Sequence, residues 1–238
     1  MSIDPLSTHY RSPLYRKLQA LGTEFIEING YAVPYTVGES VDQSLAPEQL
    51  ALCDLSGMPR IGVKGAKSAD WLLGERFIIP TDSNSALRQN DGALLARLAP
   101  NEFLLLGEES CSYPSIEKLV QIDKFPSKTT DHGKPFIVPR QFSQIWFRVI
   151  GCKSADTLAK LCAVDFRSSK FKGLQIAQTS VARLNAIVLR HDLGGIPGFY
   201  ILADTASAEY LWDCFIDAGE EHALRVVGLK ALEEFNQG

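Results

Sequence analysis

One eight-residue segment occurs twice in the chain. Gly65-Ala66-Lys67-Ser68-Ala69-Asp70-Trp71-Leu72 returns as Gly151-Cys152-Lys153-Ser154-Ala155-Asp156-Thr157-Leu158, an offset of 151 − 65 = 86 residues, with six of eight positions identical. A repeat of that length requires the two halves to share one supersecondary unit. Each copy follows a short β-patterned run (60–64 and 145–150) and leads into a helix. In the second copy Ala155, Leu158, Ala159 and Cys162 stand at i, i+3, i+4 and i+7, a single apolar stripe. Strand patterns follow, 93–98 with 102–106 in the first half and 176–190 with 199–203 in the second. A helix closes each half. In the last one, Ala208, Leu211, Trp212, Phe215 and Ile216 keep helical spacing behind Asp204 or Thr205 as cap.

The predicted unit is strand-helix-strand-strand-helix, used twice. Such units form antiparallel sheets with helices on one face, an α+β architecture. Ahead of it, Pro13 opens a helix over 14–21 that Gly22 ends. Asn29-Gly30 is a hairpin turn between strands 23–28 and 31–37, and Pro34 predicts an edge position for the second strand. Linkers are expected at 80–85 and, more strongly, at 124–139.

Composition excludes several classes. The 238 residues are 45% apolar, and 24 Lys plus Arg against 28 Asp plus Glu leave a net charge of −4. That balance argues against a nucleic-acid backbone partner. No apolar run is long enough to cross a membrane. The amino terminus, with Asp4-Pro5 and no apolar stretch, predicts a cytoplasmic protein without a leader. Cys53, Cys111, Cys152, Cys162 and Cys214 are irregularly spaced, which predicts reduced, mostly buried thiols with no disulfide. The four histidines lack metal-ligand spacing, so no metal is expected. Trp146, Phe147 and Trp212 are expected in the core.

Phosphate-loop, dinucleotide and nucleophile-elbow motifs are absent. His191 and Asp192 are adjacent, so on a strand their side chains point apart. Gly194-Gly195-Ile196-Pro197-Gly198 is expected to be a turn. Arg183 and Arg190, read on one long strand, are seven apart and face opposite sides.

Several segments resemble the glycine-cleavage T proteins, the aminomethyltransferases. They are Leu21 to Tyr35, Cys53-Asp54-Leu55-Ser56-Gly57-Met58, Arg190 with Gly195-Ile196-Pro197-Gly198-Phe199-Tyr200, and Gly228-Leu229-Lys230-Ala231. Cys162-Ala163-Val164-Asp165-Phe166-Arg167 and the run from Ala177 to Val188 are more similar to the gamma subunit of heterotetrameric sarcosine oxidase, built on the same fold. The resemblance covers about residues 12–235. It implies two pseudo-symmetric antiparallel-sheet and helix units around a central folate channel, here without the carboxy-terminal β-barrel domain. Residues 1–50 with 138–238 would form the first lobe and 51–137 the second.

The resemblance also locates departures. Tyr200 stands where the transferases hold the pterin with Glu, Leu193 replaces a tyrosine, Ile196 replaces the first Glu of the hairpin, and Leu232 replaces an Arg. The region of the catalytic Asp reads Gly107-Glu108-Glu109-Ser110-Cys111-Ser112-Tyr113-Pro114, without Asp. Hydrogen bonds to charged groups contribute about 1.5–3 kcal/mol each, so these changes predict no tight tetrahydrofolate binding and no catalytic residues. Tyr200, Arg190 and Tyr113 are the candidate residues of the central cleft. The implied function is a non-catalytic accessory subunit in one-carbon or amine metabolism, partnered by other subunits of an amine-oxidase-type complex. The alternatives are a stand-alone folate or small-molecule binder and a divergent aminomethyltransferase.

Overall fold

The computed structural model describes residues 2–38, 46, 48–107, 113–124 and 134–237. The chain divides into unit 1, Met1–Gly57 with Gln144–Gly173 and Ala177–Gly238, and unit 2, Met58–Ser143 with Leu174–Ile176.

Unit 1 opens with β1 (Tyr10–Arg11), α1 (Tyr15–Ala20), β2 (Glu24–Ile28), β3 (Tyr31–Thr36) and β4 (Ala51–Asp54). Gly22 ends α1's turn at φ +72°, and Asn29 and Gly30, at φ 52° and 82°, make the β2–β3 hairpin turn. The small sheet runs β1-β3-β2, so β3 is central and the edge position expected from Pro34 is corrected. A proline is tolerated there because β1 pairs only with Tyr31 and Ala32, while the β2 side is irregular between Glu24 and Phe25.

Unit 2 contains β5 (Arg60–Lys64), α2 (Ser68–Gly74), β6 (Ser85–Arg88), β7 (Leu94–Ala99), β8 (Glu102–Leu106), α3 (Pro114–Lys124) and β9 (Phe136–Pro139). Its sheet order is β6-β7-β8-β5-β9. Ile61, Val63, Leu95, Phe103 and Leu105 alternate onto one face, where Leu72 of α2 and Ile116 and Leu119 of α3 cover them.

The chain then returns to unit 1 through β10 (Gln144–Ile150), α4 (Ser154–Leu161), β11 (Ile176–Val181), β12 (Leu184–Arg190), β13 (Gly198–Asp204), α5 (Ala208–Gly219), β14 (Arg225–Val227) and α6 (Leu229–Gln237). The sheet order is β11-β12-β13-β10-β4-β14. Phe147, Val149, Val188, Phe199 and Ile201 meet Leu158 of α4 and Leu211, Trp212 and Phe215 of α5. Each such side chain contributes roughly 1.5–3 kcal/mol by leaving water. Trp146, Phe147 and Trp212 are all buried, as core residues.

The two halves share their element order and strand order, β6-β7-β8-β5 matching β11-β12-β13-β10. Gly65 and Gly151 occupy the same turn at φ +144° and +128°, and Ser68 and Ser154 each donate their N–H to that glycine's carbonyl at 3.0 Å. The unit carries one strand more than the sequence pattern predicts. The run 176–190 is a hairpin rather than one strand, because Ala182 and Arg183 turn at φ 48° and 67°. Arg183 therefore lies in a turn, not on a strand. β6 begins at Ser85, at the end of the expected linker 80–85. β9 forms an edge of the sheet inside the expected linker 124–139, of which 125–133 lie outside the described residues.

Candidate functional site

The face of unit 1's sheet opposite its helices carries the candidate site. Alternation along β10 sends Phe147 and Val149 to the helices and Trp146 and Arg148 to the other side. The register sets Arg148 directly across from Tyr200 on β13 and from Cys53 on β4. Arg148 is 1% exposed and Tyr200 is fully buried. An isolated guanidinium there would be very costly, so its Nη donors need acceptors on the neighbouring strands.

Arg148 Nη1 donates to the Tyr200 hydroxyl at 2.6 Å, and Nη2 donates to the His191 carbonyl at 3.1 Å. The guanidinium carbon also lies 4.9 Å from the centre of the Tyr200 ring, a cation–π arrangement. His191 Nδ1 is 3.1 Å from the Tyr200 oxygen and 3.5 Å from Arg148 Nη2. The Tyr200 oxygen, which accepts from Arg148, is thus also hydrogen-bonded to the imidazole at Nδ1. The His191 and Tyr200 rings stack at 5.2 Å and 17°, and the Trp146 ring meets Tyr200 edge-on at 5.1 Å. Gly198 makes the approach possible. A Cβ there would lie 2.6 Å from the His191 carbonyl oxygen and 3.5 Å from Arg148 Nη2.

Cys53 completes this face without adding reactivity. Burial, and then Asp54, push its thiol well above the usual thiol range, and Arg148 only partly offsets them. A thiol held neutral is a poor nucleophile.

The three residues expected in a cleft are distributed differently. Tyr200 is present, but the cation that meets it is Arg148, not Arg190. Arg190 follows Leu189, the cross-strand partner of Tyr200, so the strand's alternation turns it to the opposite face. There it forms a fork with Asp192, Nε to Oδ1 at 2.9 Å and Nη2 to Oδ2 at 2.7 Å, while Nη1 donates to the Phe171 carbonyl. Asp192 Oδ1 also accepts from the Gly198 N–H at 3.3 Å. Arg190 therefore ties the 165–173 segment to the β12–β13 hairpin. His191 and Asp192 point apart as expected. The Gly194–Gly195 turn is a tight one, closed by the Leu193 and Ile196 backbone pair at 3.0 and 2.9 Å.

Tyr113 belongs to unit 2. It immediately precedes α3 and packs over Gly107, where an added Cβ would meet its Cδ2 at 2.4 Å. It is a core residue of that unit. Residues 108–112, the region without the expected Asp, lie outside the described residues, as do Cys111 and His132.

Arg148 is the residue that sequence reasoning missed. Its signal was available: a single charge inside Ile145-Trp146-Phe147-Arg148-Val149-Ile150, an otherwise apolar run. Such a charge on a buried strand implies partners on its neighbours.

Among the described residues no group of three His, Cys, Asp or Glu could hold a metal ion. Nor is any helix among the described residues long and apolar enough to cross a membrane.

Comparison with known proteins places these features in a family. The family described as GCVT N-terminal domain matches residues 88–236. An aminomethyltransferase of Saccharopolyspora erythraea is 24% identical, over 96% of this chain and 63% of the relative. One from Thermotoga neapolitana is 23% identical, over 94% and 62%. The chain thus spans somewhat less than two thirds of these relatives. The glycine cleavage system aminomethyltransferase T of Bartonella henselae superposes with TM-score 0.72 at 18% identity, over 95% of this chain and 61% of that one. A chain of the heterotetrameric sarcosine oxidase of Corynebacterium sp. U-96 superposes with TM-score 0.63 at 18% identity, over 90% of this chain and 96% of that one.

Proposed function

The chain belongs to the GCVT N-terminal domain family, and from that membership we propose that it is a non-catalytic accessory subunit of a cytoplasmic amine-oxidase-type complex. The observation that carries this reading is the engagement of Tyr200 by Arg148 and His191. The family fold implies tetrahydrofolate. At the hairpin position where the transferases are expected to hold a pterin through a carboxylate, this chain has a buried phenol. Its oxygen already accepts from Arg148, and its faces are taken by Arg148 and His191. A phenol also lacks the two acceptor oxygens that a pterin's N–H edge requires. The residues present do not fit that group. The reading is further supported by the likeness to a sarcosine oxidase chain covered over 96% of its length.

Two measurements test the proposal. Titration calorimetry with tetrahydrofolate should give no saturable heat. Size exclusion of native extract should carry the chain at a mass well above its own 26.2 kDa, together with the other subunits of such a complex. Stoichiometric tetrahydrofolate binding that disappears in Tyr200→Ala would instead favour a folate-binding protein or a divergent aminomethyltransferase.

A further inference from the structure

We infer that Arg148 is an internal ligand, and that Tyr200 with His191 forms a receptor for the guanidinium group. Freed of Arg148, that receptor would take a small planar cation of the guanidine or amidine class. Three complementary contacts among the described residues point to it. The Tyr200 hydroxyl oxygen receives one N–H at 2.6 Å, the His191 carbonyl receives another at 3.1 Å, and the tyrosine ring lies 4.9 Å from the cationic carbon. A guanidinium is a rigid, planar fork of donors with no acceptor, so it matches two acceptors and an aromatic face where an ammonium would not.

The receptor is built without the side chain that occupies it. Tyr200 is held on β13 by pairing with β12 from Ala186↔Ala203 to Arg190↔Phe199, and His191 follows directly. The His191 N–H donates to the Gly198 carbonyl at 2.8 Å, and the stacked imidazole sets the tilt of the phenol. Arg148 enters from β10, whose register with β13 runs from Gln144↔Asp204 to Ile150↔Gly198 through backbone bonds. Shortening Arg148 leaves both acceptors and the ring in place. The inference bears on exclusion of a pterin edge, and for that consequence it rests on the function proposed above.

The test is Arg148→Ala in the full chain, with ethylguanidinium as the probe and n-propylammonium at equal concentration as control. Arg148→Ala should melt several degrees below the parent protein, and ethylguanidinium should raise its melting temperature saturably while n-propylammonium does not. The parent protein should show no such rise. Adding Tyr200→Phe should weaken the response about tenfold, the loss of one acceptor to a charged donor. A folded Arg148→Ala protein that responds equally to both cations would overturn the inference. If Arg148→Ala does not fold, nitrogen-edited NMR of the parent protein decides. Slowly exchanging Arg148 Nη protons that shift in Tyr200→Phe support it, and Nη protons exchanging at the solvent rate overturn it. Tetrahydrofolate binding by the parent protein would sink the proposed function while leaving the ethylguanidinium result standing.

Discussion

The carboxylate of Asp91 accepts the backbone N–H of Ser115 at 2.8 Å and so caps the first turn of α3 from a distant loop. Its other oxygen accepts from the Ala93 N–H at 3.2 Å. Burial raises the Asp91 carboxyl, but the neighbouring Ser115 side chain and the N–H bonds from Ser115 and Ala93 outweigh it, and the net displacement is downward. Asp91→Ala should therefore cost about 1 kcal/mol, as loss of a helix cap does. A folded-state carboxyl displaced downward contributes stability above its unfolded value and loses it as pH falls through the folded one. Urea melts of parent and Asp91→Asn should thus differ at neutral pH and converge below about pH 4.

Tyr200→Phe removes the oxygen that accepts from Arg148 and is hydrogen-bonded to His191 Nδ1, both partners buried. Leaving a buried charged donor without that acceptor should cost about 1–3 kcal/mol. Thermal unfolding should show a lowered melting temperature with unchanged far-ultraviolet circular dichroism. An unchanged melting temperature would mean that the Tyr200 hydroxyl is idle.

The two repeat glycines should respond unequally to alanine. Both sit at positive φ, +144° at Gly65 and +128° at Gly151, which alone costs roughly 1–3 kcal/mol for a residue with a Cβ. At Gly151 the new Cβ would also lie 2.2 Å from the Gln49 carbonyl oxygen, whereas at Gly65 its nearest neighbour is Pro135 Cα at 3.3 Å. Gly151→Ala should be the more destabilising in equilibrium denaturation, and the reverse order would contradict the turn geometry.

Alkylation of the native protein followed by peptide mass spectrometry should mark Cys152 well ahead of Cys53 and Cys162. Cys152 is exposed, the other two are buried, and burial raises the Cys53 thiol. Denatured, unreduced protein should present five thiols, the full count in the sequence. Early labelling of Cys53 would show that its face of the sheet opens in solution.

The α+β class, the helix stripes and the Asn29-Gly30 turn were legible in the residues, because periodicity and turn chemistry are local properties. The repeat was legible because Gly65 and Gly151 are required by the same positive-φ turn in both halves. The Ala182-Arg183 turn was not, since neither residue advertises positive φ and pairing of the flanking strands imposes it. Pro34 misled for a related reason: whether a strand is central depends on how far its neighbours extend, and β1 ends at Arg11, opposite Ala32, short of Pro34.

The candidate site divides along the same line. The sequence by itself determined that Tyr200 follows a glycine turn, and that Arg148 is a charge in an apolar strand. Only the tertiary structure decided that they meet, because the cross-strand register of β10 and β13 brings together residues 52 apart. Register likewise decided that Arg190 faces away: a strand's two faces alternate residue by residue, and chain position does not say which face a neighbouring strand will share.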